Sequence, residues 1–176
     1  GNITNDLAIG LKTSIEAAEA IKFSFGVAVA KDIPAREMID LKQVDPRAKG
    51  TPTRRFVAEI IEMRLAEMFE HVNKELSKIE KAGKLPAGVV LAGSGAKMPG
   101  LVDLAIRELR LPAQVGIPDV SNMEVASGEL ALQIEDPEFA CCLGLLMWGG
   151  DHPQSAHKGS RNFSGLTKKI LNYFMP

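Results

Sequence analysis

Residues 93–100 read Gly-Ser-Gly-Ala-Lys-Met-Pro-Gly and follow the apolar run Gly88-Val89-Val90-Leu91-Ala92. A strand that ends in glycines before a helix lets bare backbone approach a ligand, and the helix start adds amide donors suited to an anion. Two familiar nucleotide fingerprints fail here on spacing. A dinucleotide loop needs a third glycine where Met98 stands. A phosphate loop needs Lys and then Ser or Thr directly after its last glycine, whereas Leu101 and Val102 follow Gly100. The loop therefore reads two ways, as a ligand cradle or as a tight strand-to-helix turn. Glu19 and Lys22 stand three apart on one helical face, a spacing that serves one shared ligand or an ordinary surface ion pair.

Other chemistries find little support. The only cysteines are the neighbours Cys141 and Cys142, which rarely bridge each other, so no disulfide framework is expected and a reducing compartment is favoured. His71, His152 and His157 stand far from them, so no metal-ligand spacing exists. Across 176 residues, 21 basic and 22 acidic side chains give a net charge of −1, which argues against a general nucleic-acid binder. The charge is uneven. Beyond residue 150, Lys158, Arg161, Lys168 and Lys169 face Asp151 alone, a net +3 that sets the tail apart. The longest apolar run, residues 139–148, is half of what a membrane span needs, and no basic-then-apolar leader opens the chain. A cytoplasmic location without a membrane span is the expectation. The chain begins on Gly1 rather than Met, as a piece of a longer protein would.

The elements that must position these residues are mostly helices. Thr13 and Glu16 fit a capping box, Ala17, Ile21 and Phe25 repeat every four residues, and Gly26 is a natural stop. Asn5 or Thr4 suits the start of a shorter helix through Leu11, and residues 27–44 read as strand or loop pieces. The longest predicted helix covers residues 53–82. Val57, Ile61, Leu65, Met68, Val72, Leu76 and Ile79 predict its buried seam. Phe56, Ile60 and Met63 form a second stripe, with Arg64 and Glu67 between the two, so this helix packs on two sides or offers one to a partner. A short strand at 88–92 and a helix at 101–109 follow. Residues 119–135 are weakly patterned, and Asp136-Pro137 opens an apolar helix to residue 148. Residues 149–165 read as a linker. After it, Phe163, Leu166, Ile170, Tyr173 and Phe174 share one helical stripe that excludes Lys168 and Lys169. Such a helix suits a membrane interface, or docks back on its own domain.

Residues 89–100 resemble the adenosine motif of the actin-like ATPases. The runs at 2–11 (Asn-Ile-Thr-Asn-Asp-Leu-Ala-Ile-Gly-Leu), 18–22 (Ala-Glu-Ala-Ile-Lys) and 136–140 (Asp-Pro-Glu-Phe-Ala) match in order. Together they are similar to the FtsA family of bacterial actin-like cell-division proteins, which tether FtsZ filaments to membrane. The likeness covers roughly residues 1–148. It implies an α/β, actin-like (ribonuclease H-like) ATPase fold of which only the C-terminal half is present. Residues 1–30 and 85–148 would form the larger subdomain, 31–84 a small inserted α+β subdomain, 149–165 a flexible linker and 166–176 an amphipathic membrane-targeting helix. ATP with Mg²⁺ is the family's cofactor. Glu19 and Lys22 would border adenine and ribose, and Gly93, Ser94, Gly95, Ala96 and Lys97 would pass under the nucleotide. Most relatives carry glycine where Ser94 stands, and its Cβ narrows the backbone's freedom there. With the N-terminal half and its phosphate-binding hairpin outside this sequence, ATP is expected to bind weakly, and no enzyme activity beyond weak ATPase is expected.

The same resemblance implies that Phe56, Ile60, Met63, Arg64, Glu67 and Met68 receive the acidic, apolar C-terminal peptide of FtsZ. It implies that Phe163, Leu166, Lys168, Lys169, Ile170, Tyr173 and Phe174 meet anionic lipid, and that the protein assembles with itself into filaments. The resulting expectation is a cell-division adaptor that polymerises, peripheral on the inner face of the membrane, without a metal site in this chain or a nucleic-acid partner. A sugar-kinase or acetate-kinase enzyme of the same superfold, or a pilus-assembly or shape-determining actin relative, are the alternatives.

Overall fold

A computed structural model describes residues 1–46, 50–121 and 127–151. Among the described residues, those up to 141 form one compact unit and 142–151 belong to a second.

In the first unit, helices α1 (Asn2–Leu11) and α2 (Ile15–Phe25) pack as a pair against the long α3 (Arg54–Lys78). α2 begins one residue later than the capping-box reading, because Ser14, not Thr13, accepts the Ala17 N–H at 3.2 Å. α1 starts earlier than its polar residues suggested, with Gly1 at the cap position. Between α2 and α3 the chain holds one 3-10 turn, Leu41–Gln43, and an isolated antiparallel bridge between Met38 and Thr53. Arg55 staples this segment by donating to the carbonyls of Ile33 and Lys31 at 3.0 and 3.2 Å.

α3 is capped by Thr53, whose hydroxyl accepts the Phe56 N–H at 3.1 Å. It ends at Lys78, four residues short of the predicted stop, and Glu80 follows in the left-handed region at φ 58°. Its buried seam is Val57, Ala58, Ile61, Leu65 and Phe69. Met68, Val72 and Ile79, expected in that seam, are 48%, 43% and 64% exposed. The cause is helical drift: Val57, Ile61, Leu65 and Phe69 keep a strict four-residue step toward the core, and Met68 lies one position off it.

Strand β1 (Val89–Leu91) leads through the glycine loop into α4 (Leu101–Leu109), and then to β2 (Ala113–Val115). β1 and β2 pair in parallel with Val89 opposite Ala113 and Leu91 opposite Val115. Leu7, Ile21, Leu41, Ile61 and Leu104 are almost fully enclosed at the centre of one core that draws on α1 through α4. Glu62 locks two of its seams. Its carboxylate accepts the Ala30 N–H at 2.7 Å through one oxygen and the Arg107 guanidinium at 2.6 Å through the other. Helix α5 (Gly128–Ile134) lies in the segment read as weakly patterned. Asp136 caps a 3-10 turn, Pro137–Phe139, from which α6 (Ala140–Asp151) continues. α6 therefore extends over Gly149, where the linker was expected to begin. Among the described residues no helix is long and apolar enough to cross a membrane.

Candidate functional site

Gly93 leaves β1 with φ 90°, a conformation that side chains rarely adopt, and starts the 3-10 turn Ser94–Lys97. A Cβ at Gly93 or at Gly95 would meet nothing within 4 Å, so the bare backbone there faces open space. Ser94, Gly95 and Ala96 line a depression of about 660 Å³ together with Lys22 and the first residues of α1. Ala96 is buried at 5% exposure. Lys97 is turned to a different task. Its ammonium binds the Asp136 carboxylate at 2.8 Å and that of Glu138 at 3.4 Å. The hydrogen bond to Asp136 holds the lysine's pKa above its ordinary value and the aspartate's below it. The Gly93 N–H also donates to the Pro137 carbonyl at 3.0 Å, so the loop is moored to the turn at 136–139.

Glu19 and Lys22 do form an ion pair, at 2.7 Å. Thr4, buried in α1, donates its hydroxyl to the second oxygen of Glu19. These bonds, that of Lys22 first, keep the Glu19 carboxyl below its usual range. Lys22 also lines the glycine-loop depression. Glu19 faces a neighbouring depression of about 310 Å³ beside Gly1 and Ile15. Among the described residues no cluster of three or more His, Cys, Asp or Glu is arranged to hold a metal ion.

A second group gathers where α1 crosses α3. Arg64 sends Nε and Nη2 to the two oxygens of Asp6, the latter at 2.8 Å, and Nη1 to Glu67 at 2.5 Å. The paired hydrogen bonds hold the Asp6 carboxyl below its ordinary range and raise the guanidinium further. Asp6, Ile60, Met63, Arg64 and Glu67 line a depression of about 460 Å³. Met63, 74% exposed, lines this depression beside the guanidinium, whereas Phe56, 42% exposed, lies two turns earlier on α3 and is not among its lining residues. Ile60 is half-buried beneath Gly10, where a Cβ would come within 2.7 Å of its Cδ1. Met68 stands apart from this group and lines the glycine-loop depression instead.

Sequence reasoning missed Asp6, Thr4, Asp136 and Glu138 as partners of the chosen residues. Phe163, Leu166, Lys168, Lys169, Ile170, Tyr173 and Phe174 lie outside the described residues.

These parts define an α/β protein whose glycine-turned strand-to-helix loop shares a depression with a lysine, and which has a separate depression where Arg64 pairs with Asp6 and Glu67 next to Ile60 and Met63. A family model described as "Cell division protein FtsA" matches residues 1–144. The FtsA cell division proteins of Pseudomonas aeruginosa and Bacillus subtilis are each 34% identical over 147 residues, 84% of this chain. That of Enterococcus faecalis is 38% identical over 120 residues, 66% of the chain. The chain belongs to the FtsA family of cell division proteins. It spans between about a quarter and a third of the length of these relatives: 34%, 31% and 26% respectively.

Proposed function

We propose that this chain is the partner-binding and membrane-tethering portion of an actin-like division adaptor, one that holds the FtsZ C-terminal peptide while its tail lies on the inner face of the membrane. The observation that carries this reading is Arg64, fixed by Asp6 in a depression that it shares with the exposed Met63 and the half-buried Ile60. An acidic, apolar peptide suits a guanidinium so framed. The basic tail supports the lipid half of the reading. Each Lys or Arg near an anionic surface adds about 1 kcal/mol, so single copies bind reversibly and a filament gains through multivalency.

Sedimentation with anionic liposomes and a labelled FtsZ tail peptide tests both halves together. The chain should pellet with anionic but not neutral lipid, less so as salt rises, and should carry the peptide down with it. Deletion after Gly165, or Phe174→Glu, should leave both in the supernatant. If the deleted chain still pellets, the tail is not the anchor. If the intact chain pellets without peptide, the adaptor reading fails.

The glycine loop with Lys22 supports the adenosine side of an ATP site. Catalysis of phosphoryl transfer needs ligands for phosphate and Mg²⁺ in addition. This chain is therefore expected to bind ATP weakly and not to turn it over. Calorimetry at micromolar protein should give little heat, and measurable phosphate release would overturn the expectation.

A further inference from the structure

Resting on the reading of the glycine loop as the adenosine side of a nucleotide site, we infer that Asp136 and Glu138 are positioning residues of that loop, with Lys97 as the strut through which they act. Ser94, Gly95, Ala96 and Met98 all line the glycine-loop depression, and Lys97 does not. Its ammonium reaches instead to the turn at 136–139, 2.8 Å from the Asp136 carboxylate and 3.4 Å from that of Glu138. A charged side chain in the middle of the loop is thus devoted to holding the loop. Lys22 is the lysine that lines the depression.

The turn is built to serve as an anchor. Asp136 divides its oxygens: Oδ1 accepts the Glu138 N–H at 3.0 Å and fixes the turn, and Oδ2 accepts from Lys97. The Pro137 carbonyl accepts the Gly93 N–H at 3.0 Å. The loop is therefore tied to one turn at both ends, by backbone at Gly93 and by charge at Lys97. Gly93 needs that tie, because it has no side chain to pack and its φ is 90°. Glycines lose more conformational freedom on ordering than other residues, and a backbone ordered in advance loses less of it when a ligand arrives. Neither Asp136 nor Glu138 lines the depression, yet together they set how the backbone at 93–96 is held for its ligand. The pairs are part-exposed, at 46% for Lys97, 34% for Asp136 and 43% for Glu138, so their effect is about two- to fivefold.

Amide hydrogen exchange of the whole 176-residue chain, followed by NMR, tests the strut. Asp136→Asn keeps a capping oxygen for the Glu138 N–H and removes the charge, and Lys97→Met removes the ammonium. Each should speed exchange of the Gly93 amide by about two- to fivefold. The Leu104 amide, bonded to the Gly100 carbonyl at the start of α4, should not change. Glu138→Gln, at the longer contact, should give a smaller rise, and Lys97→Arg, which retains the charge, should exchange as the parent chain does. Titration with adenosine, an uncharged probe, supplies the second reading. Asp136→Asn and Lys97→Met should weaken it by the same factor, and the double variant no further. An unchanged Gly93 amide in both single variants overturns the proposal. A further loss of adenosine in the double variant makes Lys97 a ligand contact and overturns it too. If Gly93 exchange rises as expected while adenosine binds none of the chains, the parent included, the nucleotide reading falls and the strut stands.

Discussion

If the chain docks the FtsZ tail peptide at Arg64 as proposed, Arg64→Glu should weaken that peptide by more than about a hundredfold. A charge-assisted hydrogen bond contributes roughly 1.5–3 kcal/mol, so Arg64→Ala alone should weaken the peptide about ten- to a hundredfold. Reversal goes further because it sets a third carboxylate beside Asp6 and Glu67 in the same depression, all facing an acidic ligand. The substitution also cuts the tie between α1 and α3, since Asp6 loses both of its hydrogen bonds to the guanidinium. Circular dichroism and a denaturation midpoint for both variants separate the two effects. Unchanged peptide affinity in a folded Arg64→Glu chain would move the site elsewhere.

Gly88→Val is expected to be the most disruptive of the single changes considered, at about 3–5 kcal/mol, a large share of the roughly 5–15 kcal/mol that holds a domain together. Gly88 has φ 75°, and a Cβ there would stand 2.2 Å from the Pro112 carbonyl oxygen and 2.8 Å from its carbon. Those atoms are backbone and cannot swing aside. The Pro112 oxygen also accepts the Val89 N–H at 2.8 Å, so relief of the clash opens the first rung between β1 and β2. Left-handed strain, overpacking and a lost hydrogen bond then act together. Gly83 provides the control. Its φ is 65°, yet a Cβ there meets nothing within 4 Å, so Gly83→Ala should cost only about 1–2 kcal/mol. Urea denaturation of the two variants measures the contrast. A Gly88→Val chain that loses no more than Gly83→Ala would mean the strand pair shifts freely.

The legible parts of this fold are those whose signals are local. α4 lies at Leu101–Leu109 as the pattern predicts, and β1 falls within the apolar run that announced it. Ser14 and Thr53 are side-chain caps on helices the periodicity had marked. β2 was not legible. Its three residues, Ala113–Val115, are too short for alternation and are held by a parallel partner more than twenty positions earlier. α5, seven residues long, was equally hidden. The same division runs through the candidate site. Glu19 and Lys22 announce each other by helical spacing and do pair. Nothing near Arg64 in the chain points to Asp6, 58 residues away, and nothing near Lys97 points to Asp136. Side-chain chemistry could be read from the residue types, but the partners that occupy it depend on which helices cross.

Glu62 gives the domain a shared hinge pin. Because the Ala30 amide and the Arg107 guanidinium draw on separate oxygens of one carboxylate, the loop after α2 and the outer edge of α4 are fastened through a single ionisation. Burial opposes that charge, yet the Ala30 amide and Arg107 together hold the Glu62 carboxyl below its ordinary range. A depressed carboxylate stabilises the fold above its unfolded-state pKa, and the contribution disappears as pH falls through the folded-state value. Protonation of Glu62 therefore weakens two ties at once, those to Ala30 and Arg107, which lie 77 positions apart in the chain.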